Sequence, residues 1–254
     1  MANKRKKRRR RGGLGRLLRP LSFILAAVAV VAALTLFFKV QTIEVSGTFR
    51  YTSDDIITAS GVQIGDNLVL LDRYRVSQQI YTALPYVTDV RPKPKFPNTL
   101  EIEVTETRAA AAIQSAAGWW LLSSEGKILE SVDSQTAASY PTITGVWAEE
   151  PAVSSAVALP EESPITAERL CVLLTALLEQ DALSRTSEIN CTDPRELILQ
   201  YDGRFRVELF YDAEFDFKVT CMISAADKLE PNQTGTLRMT MSDDYEVRFI
   251  PSGS

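Results

Sequence analysis

The sequence of 254 residues contains no histidine. This absence excludes Ser-His and Cys-His nucleophile pairs, histidine-ligated zinc and acid–base catalysis by imidazole. Cysteine is also scarce, because Cys171, Cys191 and Cys221 lie far apart and form no C-x-x-C pair. A disulfide framework is therefore not predicted, although a bridge between Cys191 and Cys221 stays open. The sequence also lacks a P-loop, a G-x-G-x-x-G motif and an EF-hand loop, so we expect no metal and no cofactor.

Acidic residues are absent from the first 20 positions, which carry ten Lys and Arg residues. The remaining 234 residues carry 18 basic and 32 acidic residues. A basic run of this kind is found in nucleic-acid-binding proteins, but here it leads directly into an apolar segment. We therefore assign the cations to membrane topology and contact with anionic lipid, and expect no nucleic-acid partner.

The apolar segment Leu21–Phe38 contains 18 residues and no charge. A helix needs roughly 17–25 such residues to cross a bilayer. A cleaved signal peptide has the same basic-then-apolar order, but its apolar part runs about 7–15 residues and ends in small residues. This segment ends in Leu36-Phe37-Phe38, so we predict an uncleaved transmembrane helix at 21–38. The positive-inside rule then places residues 1–20 in the cytoplasm and 39–254 outside, as in a single-pass type II membrane protein.

The first external region predicts a β-α-α-β-β order. Its apolar residues alternate where we predict strands, and recur at helical spacing where we predict helices. Thr52 with Asp54 and Asp55 is typical of a helix start, and Gly61 of a helix end. The predicted elements are a strand at 40–45, helices after Thr52 and across Val76–Leu84, and strands at 87–96 and 100–106.

The second region predicts a mixture of strands and helices. Leucines recur at helical spacing between Leu170 and Leu178, and Asp202-Gly203 is typical of a hairpin turn. The predicted elements are a strand at 109–113 that continues the preceding one, a hairpin across Trp119–Glu130, a short strand before Gly145, a helix at Leu170–Leu178, a hairpin at Leu197–Phe210, a helix at Phe215–Ala226 and a last strand at Thr236–Met241, with Tyr245–Phe249 read as its extension. The fold class is therefore α+β.

Ser124 and Lys127 match the Ser-x-x-Lys pattern of penicillin-binding enzymes. That chemistry needs the serine at a helix start with the lysine one turn later. Gly126 and the flanking apolar runs predict a hairpin turn here instead. The partner motifs Ser-Asp-Asn and Lys-Thr-Gly are absent as well, so we predict no catalytic residue and no enzyme activity.

Four short phrases in this order resemble the FtsQ/DivIB family of bacterial cell-division proteins. They are Ile43-Glu44-Val45-Ser46-Gly47, Gly65-Asp66-Asn67-Leu68, Leu84-Pro85-Tyr86-Val87 and Phe96-Pro97-Asn98-Thr99-Leu100-Glu101-Ile102. The resemblance implies a POTRA domain at 39–108, a β domain with an antiparallel sheet at 109–250, and a short tail at 251–254.

The same resemblance implies a function and a binding edge. Proteins of this family are scaffolds of the division septum that bind FtsB/DivIC and FtsL outside the membrane and help control septal peptidoglycan synthesis. The partner strand adds beside the C-terminal strand of the β domain. Carried to this sequence, the predicted partner-binding residues are Thr236, Leu237, Arg238, Met239, Thr240 and Met241, with Tyr245, Val247 and Phe249 as candidate anchors. A membrane-anchored cell-wall enzyme and a POTRA-type translocation or chaperone module remain as alternatives.

Overall fold

A computed structural model describes residues 24–30, 37–239 and 247–252. The chain divides into two compact units. Unit 1 comprises Met1–Ile80 with Val90–Val104, and unit 2 comprises Tyr81–Asp89 with Thr105–Ser254. The domain boundaries that the sequence suggests at 39–108 and 109–250 stay a prediction.

Part of the predicted membrane span lies outside the described residues, namely 21–23 and 31–36. Residues 24–30 are helical. Across the described residues, no helix is both long enough and apolar enough to cross a bilayer. The transmembrane helix at 21–38 therefore stays a prediction.

The five elements between residues 42 and 106 confirm the predicted β-α-α-β-β order. They are β1 (Thr42–Ser46), α1 (Ser53–Ser60), α2 (Arg73–Ala83), β2 (Val87–Lys95) and β3 (Thr99–Glu106). Their strands form a three-stranded sheet in the order β1-β3-β2, with β1 parallel to β3. The proline-containing strand β2 lies at an edge, where a residue without an N–H costs no ladder bond.

Local signals fix α1 at both ends. The Thr52 hydroxyl accepts a hydrogen bond from the Asp55 N–H, and the Asp55 carboxylate accepts one from the Thr52 N–H, which makes a reciprocal capping box. Gly61 ends the helix in the left-handed region at φ 65°. Its buried side chain Ile56 faces the core of unit 1.

The remaining elements belong to unit 2. They are β4 (Ala109–Ser115), β5 (Gly118–Ser123), β6 (Ile128–Val132), α3 (Ser134–Ala137), β7 (Thr142–Thr144), α4 (Ala167–Glu179), a 3₁₀ turn (Leu183–Arg185), β8 (Thr186–Asn190), β9 (Glu196–Tyr201), β10 (Phe205–Phe210), α5 (Phe215–Asp227), β11 (Gly235–Met239) and β12 (Val247–Pro251). The two predicted hairpins and the two predicted long helices are confirmed.

The nine strands from β4 to β12 form one sheet in the order β12-β11-β10-β9-β8-β7-β4-β5-β6. The expectation of an antiparallel sheet holds only in part, because β10–β11, β7–β8 and β4–β7 pair in parallel. The reason is that α4 connects β7 to β8 and α5 connects β10 to β11, and a helical crossover returns the chain in the same direction. The leucines of α4 are buried in the core of this unit.

One further expectation is wrong, and one strand has no counterpart among the predicted elements. Ala109–Ser115 does not continue β3 but joins the nine-stranded sheet, beside β5 and β7. Strand β8 was not predicted at all, although it lies between β7 and β9 in the middle of the sheet.

Candidate partner-binding edge of the large sheet

The predicted binding residues fall on two strands, not one. Thr236–Met239 lies in β11 and Val247 and Phe249 lie in β12. Thr240, Met241 and Tyr245 lie outside the described residues. Because β11 pairs with β10 on one side and with β12 on the other, the expectation that this segment forms the edge is wrong for its described part, Thr236–Met239. Strands β11 and β12 pair antiparallel, and β12 is the outer strand.

The hydrogen-bond pattern shows which backbone groups of β12 face outward. The Ser252 N–H donates to the Thr234 carbonyl at 2.9 Å, next to the register pair Gly235↔Pro251. In an antiparallel ladder, every second residue of a strand forms its backbone hydrogen bonds with the neighbouring strand. Counted back from Ser252, these residues are Ile250 and Arg248, which therefore bond to β11. The N–H and C=O groups of Val247 and Phe249 therefore point away from the sheet. Pro251 offers only its carbonyl in that direction.

The side chains of β12 hold the strand in place. Val247 and Phe249 pack against the core of unit 2, and the Phe249 ring meets Phe205 edge-on with 6.3 Å between centroids. On the neighbouring strand, a Cβ at Gly235 would collide with the Ile250 carbonyl oxygen, so β12 approaches β11 closely there. Strand β12 is thus held by the apolar contacts of Val247 and Phe249 with the core and by its backbone hydrogen bonds to β11.

The opposite face of the same strands carries a row of charges. The register places Glu208 of β10 beside Arg238 of β11, and Arg238 beside Arg248 of β12. The Glu208 carboxylate accepts hydrogen bonds from Arg238 Nε at 2.5 Å and from Arg206 Nε at 3.2 Å. Its side chain is only 8% exposed. Burial alone would raise the pKa of Glu208, but the bonds from the two guanidinium groups outweigh it and lower that pKa.

Arg248 extends this row to the outer strand. Within the described part of the chain, no carboxylate lies within ion-pair distance of its guanidinium group, and the residue is exposed. Its direct neighbour across the ladder is another cation, Arg238. Like charges opposite each other destabilise a strand pair, so a carboxylate arriving at the free edge would relieve this arrangement.

Replacement of the buried acid tests the charge row. We expect Glu208→Gln to lower the free energy of unfolding at neutral pH by about 1–2 kcal/mol, because it removes two charge-assisted hydrogen bonds from a buried carboxylate. The pKa of Glu208 is lowered in the folded state, so its contribution is present above the ordinary value of 4.5 and is lost as pH falls through the folded pKa. Urea unfolding at pH 7 and at acid pH measures both effects.

Glu161→Gln supplies the control for this variant, since Glu161 is an exposed acid of unit 2. It should leave the unfolding free energy unchanged at both pH values. A loss for Glu208→Gln that is as large at acid pH as at pH 7 would contradict the assigned role of the carboxylate.

The Ser-x-x-Lys segment forms the predicted turn between β5 and β6. Lys127 Nζ does not point at Ser124 as a general base would. It donates to the Val87 carbonyl at 2.7 Å and the Tyr81 carbonyl at 3.4 Å, inside unit 2. Among the described residues, no group of three or more Cys, Asp or Glu side chains could hold a metal ion, and all three cysteines are free thiols.

Comparison with known proteins agrees with this architecture. The family of FtsQ-type POTRA domains matches residues 38–107. The chain is 35% identical over 104 residues to the cell division protein FtsQ of Corynebacterium glutamicum, an alignment that covers 41% of this chain and 46% of that protein. It is 32% identical over 116 residues to FtsQ of Geobacter sp., covering 46% and 42%.

A third relative carries the other name of the family. The cell division protein DivIB of Clostridium acetobutylicum is 32% identical over 94 residues, covering 37% of each chain. The chain thus spans less than half the length of these curated relatives. The POTRA match, the order of elements in unit 1 and the relatives under both names agree that residues 38–107 form an FtsQ-type POTRA domain, in a chain that is similar over part of its length to the cell division proteins FtsQ and DivIB.

Proposed function

We propose that this chain is a non-enzymatic, membrane-anchored scaffold of the bacterial division septum. In this proposal, it binds FtsB/DivIC-type and FtsL-type partners outside the membrane and helps to control septal peptidoglycan synthesis. A partner segment adds to β12 as a tenth strand of the large sheet. The observation that carries the proposal is the outer edge of β12, where Val247 and Phe249 direct backbone donors and acceptors away from the sheet.

Main-chain bonds at such an edge provide affinity but little selectivity, so side chains must select the partner. The residue of an incoming strand that lies opposite Arg248 continues the row of Glu208, Arg238 and Arg248. An Asp or Glu at that position pairs with Arg248 and offsets its repulsion from Arg238. The proposed partner strand is therefore acidic on this face. Its other face meets Val247 and Phe249, which favours apolar side chains there.

The anchoring part of the proposal rests on the sequence. Leu21–Phe38 is long enough and free of charge, and the ten preceding cations hold the N-terminus in the cytoplasm. The absence of histidine in the whole sequence favours a protein that acts by contact and not by catalysis.

A fluorescent fusion of the full chain, imaged in dividing cells of its own host, tests the proposed role. We expect a band at midcell before constriction. Depletion of the chain in a host without a second copy should give filamentous cells, because septal wall synthesis is no longer coordinated. Uniform envelope fluorescence together with normal cell length on depletion would contradict the proposal and favour a general envelope role.

A further inference from the structure

Unit 1 exposes large apolar side chains around residues 37–40, at the end of the predicted membrane span. Their exposed fractions run from 46% at Val69 to 76% at Phe37. These side chains are Phe37, Ile64, Val69, Leu70, Tyr74 and Phe96. Exposed apolar groups that gather in one region of a protein mark an interaction surface, whereas isolated ones do not.

Backbone hydrogen bonds hold the loop that carries Ile64 and Val69 against residues 38–40. The Phe38 carbonyl accepts from the Leu68 N–H at 2.8 Å, and Lys39 forms an antiparallel bridge with Asn67. One step further, the Val40 carbonyl accepts from the Gly65 N–H at 2.7 Å. Ile64 and Val69 therefore flank a short ladder that begins at residue 38.

A ring contact brings in the second loop. The Phe38 ring meets the Phe96 ring edge-on with 5.2 Å between centroids. Phe96 lies in the turn between β2 and β3 and is itself 60% exposed. Two separate loops thus lie against residues 38–40 and place exposed apolar side chains close to Phe38, which follows Phe37 in the chain.

Hydrogen bonds from the backbone to side chains fix the conformation of the loop that carries Val69 and Leu70. The Asn67 side-chain oxygen accepts from the N–H groups of both Val69 and Leu70, at 2.9 and 3.0 Å. The Asp66 carboxylate accepts from the Gln63 N–H at 2.9 Å. The bonds to Asn67 form an Asx turn that fixes the backbone at Val69 and Leu70, whose side chains are exposed.

The segment that precedes Phe37 indicates what covers this surface. Leu21–Phe38 is the uncharged run that we propose as the membrane anchor. If it crosses the bilayer, Phe37 lies at the membrane boundary, and side chains beside it lie at the same level. Exposed cations lie next to members of this set in the sequence: Lys39 follows Phe38, and Arg73 and Arg75 flank Tyr74. Aromatic rings with Lys and Arg are the side chains that favour the headgroup level of a bilayer.

We infer that this surface of unit 1 rests on the outer face of the lipid bilayer in which the chain is anchored. Phe37, Leu70 and Phe96 enter the interface, and Lys39, Arg73 and Arg75 meet the headgroups. The inference rests on the proposed anchor. It adds that unit 1 binds lipid through its own surface, which limits its freedom to turn above the membrane.

Photo-crosslinking in membranes tests the inference on the full chain. Benzoylphenylalanine is placed at Leu70 or Phe96, the chain is reconstituted into vesicles that contain a biotinylated phospholipid, and lipid adduct per protein is measured after irradiation. Phe49 is the matched control, because it is an exposed aromatic residue, 57% exposed, beyond the far end of β1. We expect about fivefold more lipid adduct from positions 70 and 96 than from position 49.

A fourth position separates this inference from the proposed anchor. Benzoylphenylalanine at Val28, inside the apolar segment, should label lipid strongly if that segment spans the bilayer. If Val28 labels lipid while Leu70 and Phe96 label no more than Phe49, the surface contact is overturned and the anchor stands. If Val28 also fails, the anchor and the inference both fall. Adducts of Leu70 and Phe96 with protein instead of lipid would show that a second copy or a partner covers the surface.

Discussion

A proline at Val247 should weaken binding of the proposed FtsB/DivIC-type partner by about tenfold or more while the protein stays folded. The N–H of Val247 faces outward from β12, so its loss breaks no bond to β11. An incoming strand, however, loses one main-chain bond and meets the proline ring. One hydrogen bond contributes about 0.5–1.5 kcal/mol and a tenfold change in affinity corresponds to about 1.4 kcal/mol. Titration of the purified full-length chain with the partner from the same host measures the change.

The matched control is Val247→Ala, which keeps the backbone N–H and shortens the side chain. It should bind much better than Val247→Pro, because main-chain pairing supplies most of the affinity in this binding mode. Met239 is unsuitable for such a test, since it is 2% exposed and lies in β11 between two paired strands. A folded Val247→Pro variant that binds like the wild type would exclude β12 as the partner edge, and so would an equal loss in Val247→Ala.

Alkaline pH should stabilise the wild-type protein relative to Lys127→Met by about 3 kcal/mol between pH 7 and pH 10.5. Lys127 is 5% exposed, and its ammonium lies 3.5 Å from the centroid of the Tyr81 ring. Burial lowers the pKa of Lys127 from 10.5 to about 8. Between these values the unfolded chain binds more protons than the folded one, so the stability of the wild type rises with pH. The methionine variant lacks this contribution.

Urea unfolding followed by tryptophan fluorescence measures this difference, since Trp119, Trp120 and Trp147 all lie in unit 2 with Lys127. Lys127→Leu should reproduce the result, which would show that the effect comes from the lost ammonium and not from the shape of methionine. A difference between wild type and variants that stays constant from pH 7 to pH 10.5 would mean that Lys127 titrates normally in the folded protein.

Unit 1 was predictable because its signals are local. The Thr52–Asp55 capping box and the stop at Gly61 lie within ten residues of each other, and each acts on its own helix end. The alternation of Leu100, Ile102 and Val104 marks one buried face of β3 in the same direct way.

Strand β8 escaped prediction because its sequence carries little apolar pattern. Thr186–Asn190 contains one strongly apolar residue, Ile189. The strand owes its place to its neighbours, since β7 and β9 bond to it from both sides. Tertiary context of this kind outweighs strand propensity and is not visible in a short window of sequence.

The identity of the outer strand of the large sheet was missed for a related reason. The sequence shows that Leu237–Met239 and Val247–Phe249 are both extended, but not which of them lies outside. That choice depends on the α5 crossover, which sets β11 parallel to β10, and on the antiparallel pairing that places β12 on the free side of β11. Strand order is a long-range property, and local periodicity carries no information about it.

The short edge also determines how the protein behaves towards copies of itself. If two copies paired β12 antiparallel so that Val247 of each met Phe249 of the other, Arg248 would lie directly opposite Arg248, and the like charges would repel. If the pairing moved by one residue to centre on Phe249, Val247 would meet Pro251, which has no N–H to give. Both of these registers are therefore impaired between identical strands, while a strand with an acid opposite Arg248 suffers neither penalty. Arg248 and Pro251 therefore disfavour the pairing of two copies of the chain through β12.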